Sequence, residues 1–101
     1  MSNHERITQL IFSGLDEINF QLEPDKVLEK SLDTVLFGKS AKLDSMALVT
    51  LIVAVEEKVE EEFGVLLTIA DERALSQKNS PFRTVTIFAD YISLLLKEHS
   101  N

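Results

Sequence analysis

Asp44-Ser45-Met46-Ala47-Leu48-Val49-Thr50-Leu51-Ile52-Val53-Ala54-Val55-Glu56-Glu57-Lys58-Val59-Glu60-Glu61-Glu62-Phe63 is the stretch on which the fold turns. At 3.6 residues per turn, Leu48, Leu51, Ile52, Val55, Val59 and Phe63 fall on one broad face. Ala47, Thr50, Ala54, Glu57, Lys58 and Glu61 fall on another. Met46, Val49 and Val53 make a third strip beside the core face. The pattern predicts a helix over residues 44–63. Asp44 suits its N-cap, although Ala47 at N3 rules out a capping box. Gly64 suits its end.

The flanking sequence extends the helical reading. Ile7, Leu10, Ile11, Gly14, Leu15 and Ile18 recur at helical spacing, with Glu5, Arg6, Gln9, Asp16 and Glu17 between them. An amphipathic helix is predicted over residues 3–20. Residues 21–44 form a long connection. Pro24 ends the first helix or starts a short turn. Val27, Leu28, Leu32, Val35, Leu36 and Phe37 are apolar enough to dock on a core and allow part of the connection to be helical, whereas Gly38 and Ser40 loosen the chain. Val65 to Ile69 reads as an extended linker. A short helix capped by Asp71 is predicted over 71–76. Thr84 caps a last helix over 84–97, with Val85, Phe88, Ile92 and Leu95 on one face. The sum is a single all-α domain: a small four-helix bundle with three longer helices, one short helix and a long first loop.

Composition narrows the function. A chain of 101 residues, 45% hydrophobic and 27% charged, supports one modest core. Its formal net charge of −7 repels phosphate backbones, so nucleic acid is not an expected partner. There is no cysteine, which removes disulfides, thiolate metal sites and cysteine nucleophiles. Residues 1–6 lack the shape of a signal peptide, and no apolar run approaches the ~20 residues of a membrane span. A cytoplasmic protein without membrane insertion is expected.

Catalytic constellations are absent from the sequence. His4 and His99 sit near the chain ends, and no Ser/His/Asp set can be placed. No HExxH, Gly-rich phosphate loop or EF-hand spacing occurs. Glu56, Glu57, Glu60, Glu61 and Glu62 cluster, but such a run on a helix reads as a solvated face rather than a metal site. An enzyme is not expected. Ser45 stands out by position, opening the longest helix directly after Asp44. A phosphate on its hydroxyl would meet unpaired backbone N–H groups and the positive end of the helix dipole. The alternative is that Ser45 only helps to cap the helix.

Leu43-Asp44-Ser45-Met46 resembles the Asp-Ser-Leu signature of the acyl carrier protein family. Leu48 to Glu57 looks like that family's second helix. Ile69-Ala70-Asp71-Glu72-Arg73-Ala74 is similar to the family's Ile-Pro-Asp-Glu segment entering the short third helix. Phe82-Arg83-Thr84-Val85 and Ala89-Asp90-Tyr91-Ile92 resemble its fourth. The resemblance covers essentially the whole chain and implies a four-helix bundle of acyl-carrier type. It implies that Ser45 carries 4′-phosphopantetheine covalently and that Asp44 helps a phosphopantetheinyl transferase place the serine. Met46 would flank the arm; Val49, Val53 and Glu57 would face partner enzymes. The implied partners are the transferase, an acyl-loading ligase and acyl-transfer or synthase enzymes. The protein itself would be a monomeric, non-catalytic carrier of an acyl or aminoacyl thioester.

Departures from the family pattern are equally legible. Ala47 and Thr50 stand where the family often has acids near the serine. Acidity is shifted to Glu57, Glu60 and Glu61. The second helix runs longer, as does the link at Ser76 to Pro81. Ala41-Lys42-Leu43 replaces the usual glycine before Asp-Ser. These departures point away from housekeeping fatty acid biosynthesis and toward a stand-alone carrier of a specialised pathway. Two further readings stand beside it: a carrier of amino acid or polyketide units, and a small helical adaptor that binds through Met46, Val49 and Val53 without a cofactor.

Overall fold

A computed structural model describes residues 3–38, 41–69 and 81–99. Among these residues three α-helices occur: α1 (Asn3–Asn19), α2 (Ser45–Phe63) and α3 (Val85–His99). A single 3₁₀ turn at Pro24–Lys26 follows α1. No strand is formed among the described residues; Val35 and Thr84 make one isolated antiparallel bridge. The helix predicted over 71–76 lies outside the described residues. The domain is a small helical bundle in which α1 packs against both α2 and α3.

The apolar spacing explains the packing. On α1, Ile7, Ile11, Gly14, Leu15 and Ile18 are buried, and Leu10 is half-buried. Thr8 is also buried and bonds its hydroxyl to the His4 carbonyl at 2.9 Å, so it enters the core with its polar group satisfied. The inner face of α2 supplies Leu48, Leu51, Ile52, Val55 and Val59, while Phe63 is only half-buried. On α3 the buried set is Val85, Phe88, Ala89 and Ile92. Phe82, fully buried, meets Phe88 and Tyr91 edge-to-face, with ring centroids 5.4 and 6.2 Å apart. Gly14 sits where α1 and α2 close on each other. A Cβ there would lie 3.1 Å from Leu51 Cδ1 and 3.2 Å from Val55 Cγ2.

Among the described residues of the connection, 20–38 and 41–44, nothing is helical beyond the 3₁₀ turn, yet several points are tied down. Asn19 accepts from the Leu28 N–H at 2.9 Å and donates to the Leu28 carbonyl at 3.0 Å. Leu28 and Leu36 are buried. The Leu36 N–H donates to the Arg83 carbonyl at 2.8 Å, and the Val85 N–H donates to the Thr34 carbonyl at 3.1 Å. The expected docking is therefore carried by Leu28 and Leu36. Val35 and Phe37 are half-buried, and Val27 and Leu32 are exposed. As expected, 65–69 is neither helix nor strand. Leu67 and Ile69 nevertheless join the core.

Candidate functional site

Asp44 builds the start of α2. Its backbone is extended (φ −82°, ψ 178°), and its Oδ1 accepts the Ala47 N–H at 2.8 Å. Its carbonyl takes the first helical bond from the Leu48 N–H at 2.9 Å. The capping oxygen is thus that of Asp44, and Ser45 takes no part in the cap. Ser45 occupies the first helical position with an exposed side chain. Beside it lies an open depression of about 530 Å³, lined by Phe37, Gly38, Leu43, Asp44, Ser45 and Leu48. Gly38, among those lining residues, has φ of 116°, a backbone region that glycine enters without strain.

Downstream of Ser45 the outer face of α2 is apolar. Met46 is 81% exposed and Val53 43% exposed. Val49, between them, is half-buried. Thr50 turns its hydroxyl back onto the helix, donating to the Met46 carbonyl at 2.9 Å. Of the predicted site residues, Asp44, Ser45, Met46 and Val53 are accessible at the N-terminal half of one helix. Glu57 is exposed on the same side, farther along.

The glutamate run divides into three environments. Glu56 turns inward and accepts the Ile69 N–H at 3.0 Å, fastening the extended segment to α2. Glu62 pairs with Arg6, whose guanidinium also lies 4.7 Å over the Phe63 ring. Glu57, Glu60 and Glu61 are exposed. The expectation of one uniformly solvated face therefore holds for these three and fails for Glu56, whose partner lies thirteen residues away. Among the described residues no cluster of three or more His, Cys, Asp or Glu could hold a metal ion. His4 does not stand idle at a chain end: its Nε2 lies 2.7 Å from Asp90 Oδ1, bridging α1 to α3.

The site thus combines an exposed hydroxyl, an apolar strip and an acidic end on one helix. No family model, curated protein or solved structure matches the chain. Among the described residues no helix is long and apolar enough to cross a membrane.

Proposed function

We propose that this chain is a carrier protein that bears 4′-phosphopantetheine on Ser45, with Asp44 placing the serine for a phosphopantetheinyl transferase. The observation that carries this reading is the Ser45 side chain itself. It is exposed at the first position of α2 and relieved of capping by the Asp44–Ala47 bond. A phosphodiester there meets the positive end of a 19-residue helix. The helix dipole favours such an anion by about 0.3–1 kcal/mol. The resemblance of Leu43 to Met46, and of the helices after it, to acyl carrier proteins points the same way.

In the loading step the Ser45 hydroxyl oxygen forms a phosphoester bond to the pantetheine-bearing phosphate of coenzyme A. The pyrophosphate bond of coenzyme A breaks, and adenosine 3′,5′-bisphosphate leaves. The hydroxyl proton passes to a base of the transferase. When bound, the arm would supply a terminal thiol able to hold an acyl or aminoacyl group as a thioester, and Ser45 would hold that arm at the start of α2. This chain supplies no catalytic group; it supplies reach and recognition. Met46, Val49, Val53 and Glu57 would meet the loading ligase and the acyl-transfer or synthase enzymes. Such contacts are brief, because a carrier leaves each enzyme in turn. The departures at Ala47 and Thr50 favour a specialised pathway over housekeeping fatty acid biosynthesis.

Incubation with coenzyme A and a broad-specificity transferase, followed by intact mass measurement, tests the reading. The expected result is one added phosphopantetheine on the wild type and none on Ser45→Ala. A wild type that stays unmodified while a control carrier is loaded would leave the cofactor-free adaptor, for which the exposure of Met46 and Val53 serves equally well.

A further inference from the structure

The face of α3 that turns away from the core is apolar at coiled-coil spacing. Val85, Phe88, Ala89 and Ile92 are buried on one side of the helix. Ile87, Tyr91 and Leu94 follow one another at intervals of four and three residues on the side facing solvent. Ile87 is 39% exposed and Leu94 51% exposed, and Tyr91 between them is half-buried, its ring held edge-to-face on Phe82. Leu32, also exposed, is fixed beside the first turn of α3. Its carbonyl accepts from the Thr86 N–H at 3.1 Å and from Thr86 Oγ1 at 2.9 Å.

The charges around this stripe fit a second copy of the same helix. Residues 81–99 hold two cations, Arg83 and Lys97, and two carboxylates, Asp90 and Glu98, so this segment is neutral in a chain of net charge −7. Local repulsion between two copies is therefore least where α3 meets α3. Asp90 is already engaged by His4 Nε2 across the α1–α3 junction. Arg83 and Glu98 are exposed and make no ion pair among the described residues. Arg83 precedes the positive end of α3 and Glu98 lies at its negative end, each against the helix dipole. A second helix running antiparallel reverses both placements, bringing Arg83 of each copy toward Glu98 of the other. A parallel pair would set like charges together at both ends.

We infer that the outer face of α3 is a self-association surface, on which two copies of this chain pair through antiparallel α3 helices about a twofold axis near Tyr91. Ile87, Tyr91 and Leu94 form the apolar seam, and two reciprocal Arg83–Glu98 pairs close its ends. The seam is short. A 15-residue helix is about 22 Å long, and one helix laid on one helix covers well under the ~1,600 Å² of a stable complex. The dimer is therefore weak, with a dissociation constant on the order of 0.1–1 mM. The monomer implied by the family resemblance is then the dilute form. The surface uses no residue of α2, so the inference stands apart from the carrier reading.

Tyr91 is the sole tyrosine of a chain without tryptophan, which places the one strong natural fluorophore in the seam. The full chain is diluted from about 2 mM to about 20 µM. On dilution, ¹⁵N resonances should move at Ile87 to Glu98 and around Leu32, and Tyr91 anisotropy should fall. Sedimentation equilibrium should give the mass of a dimer at the upper end. Leu94→Glu sets a carboxylate into the seam and should weaken association about tenfold or more. Leu94 is exposed, so a thermal melt should show that variant folded. Arg83→Glu alone should weaken association about three- to tenfold, and Arg83→Glu with Glu98→Arg should restore it. A chain that stays monomeric at about 2 mM overturns the inference, even if another protein covers the face. So do concentration-dependent shifts confined to other helices, a Leu94→Glu variant that associates as the wild type does, or a charge swap that fails to rescue. Ser45→Ala should associate as the wild type does, so loading and self-association are read separately.

Discussion

The two apolar faces of α2 use the same residue types to opposite ends. Leu48, Leu51, Ile52, Val55 and Val59 are sealed against α1 and the rest of the core. Met46 and Val53 face outward one or two positions away along the same helix, with Val49 between the two environments. Burying a leucine or valine side chain contributes about 1.5–3 kcal/mol, so the inner set holds the bundle together. The outer set contributes little to that core. Its apolar surface stays open to solvent. The comparison teaches that hydrophobicity on a helix does not by itself mean core: position around the axis decides what a residue is for.

Substitutions on the two faces sharpen this contrast. The largest effect is expected at Leu51, which is fully buried where α1 and α2 meet. Leu51→Ala should lower unfolding free energy by about 2–5 kcal/mol, read by urea or thermal unfolding. A smaller loss is expected at the junction of the faces. Asp44→Ala removes the 2.8 Å bond to the Ala47 N–H and should cost about 1 kcal/mol. If Asp44→Ala cost as much as Leu51→Ala, the start of α2 would belong to the core instead of bordering it. The smallest effect belongs to the outer face: Met46→Ser with Val53→Ser should change stability by no more than about 0.5 kcal/mol.

Much of this architecture was legible in the sequence because helical periodicity is local. The apolar spacing picked out the buried faces of α1, α2 and α3, and Asp44, Gly64 and Thr84 as caps. Gly64 is left-handed at φ 70°, and Thr84 Oγ1 accepts the Ile87 N–H at 3.2 Å. The long first connection was harder, because its anchors are not periodic. Nothing in local pattern links Asn19 to Leu28, or Leu36 to Arg83; these bonds exist only once the helices have packed. Glu56 was misread for the same reason. Its neighbours in sequence are acidic and exposed, but its hydrogen-bond partner is Ile69. At the site, Asp44 was legible as a cap from position, whereas position left Ser45 open between helping the cap and carrying a group, and only the family resemblance favoured the second. The division of labour between them required geometry, since either side chain can cap a helix.

The claim that α2 folds with one face and binds with the other is tested most directly by one paired measurement. Catalytic efficiency (kcat/KM) for phosphopantetheine transfer to Ser45 is compared between the wild type and the Met46→Ser, Val53→Ser double variant, with a thermal melt of each. The double variant should lose about tenfold or more in kcat/KM while melting as the wild type does. Unchanged transfer kinetics, or a melting temperature that falls as far as that of Leu51→Ala, would contradict the division of the helix into two working faces.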